Sequence, residues 1–144
     1  MSVLAPASAR FPATVYRDRL RAAAAMAGER ALDALLITPS PDYLYLLGYQ
    51  APALERLTCL VVPAEGLPTL VLPRLEEPLA VHELGDLADA LEVVTWDETD
   101  DPIRLVQGLV GAVRRTPAGA GGSPGAGHAR YAAQGDGSPQ PRPR

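Results

Sequence analysis

The acidic run near residue 100 is the first group of side chains that could do chemistry. Asp97, Glu98, Asp100 and Asp101 place four carboxylates within five residues, and hard divalent cations prefer several carboxylate oxygens at close quarters. The run lacks the glycine and the distal glutamate of a calcium-binding loop. Asp101 also precedes a proline, which is typical of a helix N-cap. We therefore expect a structural role for this run.

The histidines and the cysteine point to no metal site and no nucleophile. His82 has Glu83 beside it but no second His or Cys at ligand spacing, so a structural or exposed histidine is expected. His128 lies in a Gly-rich C-terminal segment. Cys59 sits in an apolar run, where a buried, inert thiol is more common than a nucleophile. We predict no catalytic residue and no metal ligand in this chain.

The glycine-rich stretch at 119–127, "GAGGSPGAG", loosely resembles a phosphate-binding loop. Such a loop needs a preceding strand and a following helix, and the sequence predicts neither. No Walker loop, no nucleophile elbow and no convincing acid/base pair of carboxylates is found elsewhere. The residues by themselves assemble no active site.

Composition sets the class of protein. A chain of 144 residues that is 47% hydrophobic has the length and the apolar content of one globular domain. Residues 1–115 carry 10 Arg against 16 Asp plus Glu, which gives no basic footprint for nucleic acid or an anionic membrane. With no signal peptide, no long apolar stretch and a single cysteine, a cytoplasmic protein is expected.

The pattern of apolar residues predicts alternating helices and strands. A helix is predicted at 14–28 with Gly28 as its C-terminal cap, then a strand within 32–40, then a short helix at 41–47 that begins at Ser40 and ends at Gly48. A hairpin at 58–62 and 69–72 follows, then helical segments within 75–91 interrupted at Gly85, a strand at 91–96 and a helix from Asp101. This order predicts a mixed α/β layer fold.

In the last predicted helix, five apolar residues at helical spacing are expected to form the side that packs on the sheet: Ile103, Val106, Leu109, Val110 and Val113. The segment after it, residues 116–144, has 7 Gly, 5 Pro and 6 Ala and no Leu, Ile, Val or Phe. We predict a disordered tail there, because such a segment buries too little apolar surface to offset its ordering entropy. Since this composition is also what GC-rich codons give when read out of frame, a frameshift product is a second hypothesis.

Five short patterns follow one another along the chain: a helix with an Arg-Leu, "LDALLI", "YLLGY", an arginine ahead of "LVVP", and "PRLE" after the hairpin. Their order resembles the N-terminal domain of the creatinase/prolidase family of Xaa-Pro dipeptidases and aminopeptidases. The resemblance covers residues 14 to about 113, which places the domain at 14–115 and leaves residues 1–13 as an N-terminal extension. It implies a three-layer α/β domain with a ribonuclease-H-like motif, here incomplete at its C-terminal side.

The resemblance also implies where catalysis takes place. In the family, a following domain holds two divalent metal ions, commonly manganese, cobalt or zinc, and hydrolyses the peptide bond before proline. The sequence after Arg115 offers one Asp, one His and no Glu, so this chain is expected to bind no metal and to be inactive alone. It corresponds to a truncated Xaa-Pro peptidase that retains the domain for dimerisation.

The resemblance assigns a substrate-facing role to three residues. Arg56 aligns with an arginine that contacts the substrate carboxylate in creatinase-like relatives, and Tyr49 and Leu54 would line the same wall of a neighbouring subunit's active site. The alternative is that Arg56 pairs with Glu55 or another acid. For the aromatic stretch we expect Tyr43, Tyr45 and Leu46 to be core residues.

Three functions therefore stay open. The first is a substrate-wall and dimerisation domain, partnered by a second copy or by a full-length homologue. The second is a stand-alone interaction module that pairs with full-length homologues and modulates them. The third is an α/β domain that binds a small ligand at its strand ends.

Overall fold

The computed structural model describes residues 10–52 and 55–115. Its elements follow the predicted order, with a short 3-10 turn on each side of the third helix. The helices are α1 (Ala13–Glu29), α2 (Pro41–Leu47), α3 (Glu77–Leu84) and α4 (Pro102–Arg115), and the strands are β1 (Ala34–Ile37), β2 (Cys59–Pro63), β3 (Thr69–Pro73) and β4 (Glu92–Trp96). Among the helices of the described residues, none is long and apolar enough to cross a bilayer.

The four strands form one mixed sheet in the order β1-β2-β3-β4. β1 pairs antiparallel with β2, and β2 pairs antiparallel with β3, so the predicted hairpin is confirmed. β3 and β4 run parallel, with Leu70 opposite Val93 and Pro73 opposite Trp96. β2 is therefore the one strand of this sheet that is antiparallel to the rest, and β1, β3 and β4 point the same way.

Side chains of the two central strands alternate between two cores, as a period of two requires. Leu60, Val62, Leu70 and Leu72 face α1, α2, α3 and the second 3-10 turn. The intervening residues Cys59, Val61 and Val71 face α4, together with Trp96 and Val106. Both faces of the sheet are thus covered, and the predicted three-layer α/β architecture is confirmed.

α2 has the bounds that its capping residues predict. Ser40 Oγ accepts a hydrogen bond from Tyr43 N at 3.3 Å, and Pro41 occupies the first turn. The helix ends at Gly48, which has a φ of 73° and donates its N–H to Leu44 O at 2.8 Å. A left-handed glycine after the last turn is the usual C-terminal stop.

The C-terminal cap predicted for α1 at Gly28 is wrong. The helix continues to Glu29, and the left-handed residue is Ala31, with a φ of 55°. Leu32 N donates to Ala27 O at 2.9 Å and Ala31 N to Gly28 O at 3.0 Å, which is the hydrogen-bond pattern of a Schellman motif. The stop therefore lies three residues beyond the glycine.

Two residues predicted to be core are exposed. Tyr45 is 55% exposed and lies against the guanidinium of Arg19, with 4.0 Å between Arg19 Cζ and the ring centre. Ile103, in the first turn of α4, is also 55% exposed, whereas Val106 is buried in the core beneath that helix. The Tyr45 ring therefore makes a cation–π contact with Arg19 at the surface instead of packing in the core.

The first described residues, Arg10 to Pro12, lie against the domain although they precede α1. Arg10 donates to two backbone carbonyl oxygens, those of Glu83 and Leu47, the latter at 3.3 Å. Residues 1–9, 53–54 and 116–144 are outside the described part of the chain, and the predicted disordered tail lies entirely among them.

Candidate functional site

The candidate site lies at the edge of the sheet where the parallel strands end. Thr38 follows β1, Arg74 follows β3 and Asp97 follows β4. Since β2 runs the other way, the segment that enters it, residues 55–58, reaches the same edge. In open α/β sheets, ligands bind in crevices outside the carboxyl ends of the strands.

The acidic run is anchored at this edge by an arginine. Arg74 Nε donates to Asp97 Oδ1 at 2.9 Å, and Arg74 Nη2 donates to Asp97 Oδ2 at 2.7 Å. These charged hydrogen bonds hold the pKa of the Asp97 carboxyl below its usual value. The two-pronged geometry is the strongest form of an arginine–carboxylate pair, so Asp97 has the structural role predicted for it.

The rest of the run builds a turn and a helix cap. Asp100 N donates to Asp97 O at 2.8 Å, and Asp97 N donates to Asp100 Oδ2 at 2.8 Å. Asp101 Oδ1 accepts from Ile103 N at 3.1 Å and Arg104 N at 3.2 Å, which confirms it as the N-cap of α4.

These carboxylates do not fit a metal ion. Their oxygens are engaged by an arginine and by backbone N–H groups. Within residues 10–52 and 55–115, no group of three or more His, Cys, Asp or Glu side chains is placed to hold a metal ion. We therefore assign no metal-dependent step to the described residues.

Arg56 stands in the segment just before β2, and a tryptophan anchors the backbone beside it. Trp96 Nε1 donates to Leu57 O at 2.9 Å. The Arg56 side chain is 41% exposed, and its Nη2 pairs with Glu98 Oε1 across the edge of the sheet. The alternative in which Arg56 pairs with an acid is thus observed, and the acid is Glu98.

Arg56 borders an open cleft of about 750 Å³. The walls come from the end of β1, the entry to β2, the end of β4 and the start of α4: Thr38, Arg56, Thr58, Trp96, Pro102 and Ile103. Thr58 is only 3% exposed, and its Oγ1 has no hydrogen-bond partner within the described part of the chain. The cleft therefore combines two charged residues, Arg56 and Glu55, and two threonines with walls that are otherwise apolar.

Of the other two predicted wall residues, the structure describes Tyr49 alone. Tyr49 is 6% exposed, and its hydroxyl lies 2.6 Å from that of Tyr43 inside the main core. Burial raises the pKa of both phenols. Leu54 lies in the segment 53–54, outside the described residues.

Cys59 is buried and His82 is exposed, and each position agrees with its prediction. Cys59 is 3% exposed in the core beneath α4, and burial raises the pKa of its thiol. A buried thiol with a raised pKa is a poor nucleophile. His82 is exposed on α3.

Three residues at this edge were missed by reasoning from the sequence: Arg74, Trp96 and the pairing role of Glu98. Arg74 follows β3 and Asp97 follows β4, and the parallel pairing of these two strands brings the two residues into contact. The tertiary fold decides which strands pair, so no local sequence pattern predicts the contact between Arg74 and Asp97.

Comparison with known proteins matches this fold to dipeptidases. The profile of the creatinase/prolidase N-terminal domain matches residues 18–134, a range that runs past Arg115. The probable dipeptidase PepE of Mycobacterium tuberculosis is 46% identical over 108 residues, which cover 72% of this chain. The chain spans 28% of the length of that relative.

Solved structures agree with the sequence match. The crystal structure of dipeptidase PepE from Mycobacterium ulcerans superposes with a TM-score of 0.65 at 45% identity, over 72% of this chain and 28% of that one. Recombinant prolidase from Thermococcus sibiricus gives a TM-score of 0.57 at 29% identity, over 68% of this chain and 25% of that one. This chain belongs to the creatinase/prolidase N-terminal domain family.

Proposed function

We propose that this chain is the non-catalytic, substrate-wall and dimerisation domain of an Xaa-Pro dipeptidase. In this proposal Arg56 receives the C-terminal carboxylate of a dipeptide bound in a neighbouring subunit's active site. Family membership and the names of the relatives, a dipeptidase and a prolidase, support the substrate class.

The position of Arg56 is the observation that carries the proposal. Its guanidinium is partly exposed at the carboxyl edge of the sheet, while Trp96 fixes the adjacent backbone through Leu57. A guanidinium is always charged and presents N–H donors in a rigid fork that matches a carboxylate. Arg74 already uses its fork on Asp97 and Arg104 pairs with Asp101. Neither of them lines the cleft as Arg56 does, so Arg56 is the better candidate.

Hydrolysis itself is assigned to metal ligands of a separate catalytic domain, as the family resemblance implies, with two manganese, cobalt or zinc ions. The carboxylates of Asp97, Asp100 and Asp101 are committed to an ion pair, a turn and a helix cap, which supports a non-catalytic role for the acidic run. Purified chain incubated with alanyl-proline and Mn²⁺ or Co²⁺ should release no proline. Release above the metal-only background would contradict the proposal.

Dimerisation is tested by sedimentation velocity. We expect the chain alone to sediment at twice its mass of 15.2 kDa, and a mixture with full-length mycobacterial PepE to contain a heterodimer. A heterodimer without a homodimer would instead favour the interaction module. A monomer in both samples would contradict both functions.

The cleft beside Arg56 supports a second candidate function, a domain that binds a small carboxylate by itself. A volume of about 750 Å³ falls within the range of small-molecule sites, which combine apolar walls with a few polar groups. A thermal-shift screen of small carboxylic acids tests this function. Hits that disappear in Arg56→Gln would support it, and a screen without hits would count against it.

A further inference from the structure

The partner of Arg56 is itself a carboxylate, and it occupies the group to which we assign ligand recognition. We propose that Glu98 is a specificity-determining residue that competes with the ligand carboxylate for Arg56. This inference rests on the proposed role of Arg56. A ligand must displace Glu98 in order to bind Arg56. A ligand without a carboxylate therefore gains no affinity from Arg56.

Glu98 is held in place by the turn that carries it. Two hydrogen bonds close this turn. Asp100 N donates to Asp97 O, and Asp97 N donates to Asp100 Oδ2. The bidentate contact of Arg74 then ties Asp97 to the end of β3. The turn thus fixes the backbone of Glu98 within reach of Arg56, so that pairing costs the rotamer freedom of the side chains alone.

Arg56 is also held from the cleft side. Trp96 Nε1 binds Leu57 O, one residue along the chain, and Thr58 beyond it is buried. The two charged groups are therefore presented to each other by anchored backbone from two different strand ends. Their pairing is a property of the fold at this edge, and it follows from the positions of β2 and β4.

The pair is nevertheless easy to exchange. The contact joins Nη2 of Arg56 to Oε1 of Glu98, and the two side chains are 41% and 74% exposed. An exposed ion pair of this kind changes the equilibrium constant for displacement of Glu98 by no more than about fivefold. An incoming carboxylate that engages the guanidinium through two parallel bonds has the better geometry and displaces Glu98.

The test is a titration with alanyl-proline of the heterodimer that this chain forms with metal-free, full-length mycobacterial PepE, in which only this chain carries a nitrogen-15 label. Alanyl-prolinamide is the probe that lacks the carboxylate. Trp96 is the single tryptophan of the chain and lines the cleft, so its indole N–H resonance reports binding. We expect Glu98→Gln to bind alanyl-proline about two- to fivefold more tightly than the parent chain, because the competing charge is removed. The affinity for the amide should not change.

Glu55→Gln is the matched control, since Glu55 lines the same cleft next to Arg56 in sequence and the substitution removes the same charge. An equal gain in Glu55→Gln would overturn the inference, because general electrostatics would then explain it. Equal affinities of Glu98→Gln and the parent chain, with binding lost in Arg56→Gln, would overturn only the role of Glu98. Unchanged binding in Arg56→Gln would overturn the proposed role of Arg56 and this inference with it.

Discussion

Replacing Gly48 with alanine tests how tightly the stop of α2 is built into the core. Gly48 has a φ of 73°, and a left-handed conformation costs an alanine about 1–2 kcal/mol. A Cβ on Gly48 would lie 2.4 Å from Cζ of Tyr16 and 2.7 Å from its hydroxyl oxygen. Carbon atoms normally approach to about 3.5–4.0 Å, so the ring must move by about 1 Å.

The Tyr16 ring has little room to move, because the residue is 5% exposed within the main core. Overpacking of this kind costs about 1–3 kcal/mol, so Gly48→Ala should lower the free energy of unfolding by about 2–5 kcal/mol in total. Urea denaturation measures the change. Gly108→Ala is the control, since a Cβ there meets nothing within 4 Å inside α4 and should stabilise by about 0.5–1 kcal/mol.

A double-mutant cycle separates the clash from the backbone strain. In a Tyr16→Leu background the ring atoms are gone, so Gly48→Ala should cost only the about 1–2 kcal/mol of the left-handed conformation. The same loss in both backgrounds would refute the steric reasoning. A loss below 1 kcal/mol in the parent chain would refute the packing of α1 against the end of α2.

Three further predictions concern other anchored groups. Ala31→Gly should stabilise the chain by about 1 kcal/mol, because glycine adopts the left-handed end of α1 without strain; urea denaturation showing no gain would contradict this. Burial raises the pKa of Tyr43 and Tyr49, so the stability that depends on their neutral phenols is present below pH 10 and lost as the pH rises further. The chain has no lysine that would titrate in this range. Between pH 9 and 11 the unfolding free energy should therefore fall less steeply with pH in Tyr43→Phe than in the parent chain. An equal pH dependence in both would contradict the buried tyrosine pair. Trp96→Phe removes the hydrogen bond to Leu57 O and should cost about 1 kcal/mol in unfolding free energy; unchanged stability would show that the bond does not anchor the strand.

Most of the fold could be predicted because local chemistry fixes it. The first and last residues of α2 follow from the capping and conformational preferences of Ser40, Pro41 and Gly48. The β-rich runs at 58–62 and 69–72 predict the two strands of a hairpin, and the structure forms β2 and β3 there with all ten of their residues buried. The acidic run was also predicted correctly, since an aspartate before a proline is a helix-cap signal.

The errors arise where the tertiary fold decides. Tyr43 and Tyr45 are two residues apart in a helix and so lie on nearly opposite faces, which means that both could not enter one core. Tyr43 is buried with Leu46 and Leu47, at helical spacing, and Tyr45 is exposed. The ion pairs of Arg56 and Arg74 depend on the order of strands in the sheet, which no local pattern contains.

The central claim is that Arg56 serves a neighbouring subunit's active site, and the Michaelis constant of a mixed dimer tests it most directly. In a heterodimer of this chain with full-length mycobacterial PepE, this chain would supply the wall of the one complete active site. Loss of a charged hydrogen bond costs about 1.5–3 kcal/mol, so Arg56→Gln in this chain should raise the KM for alanyl-proline by about 10- to 100-fold. An unchanged KM in a heterodimer of equal stability would contradict the account.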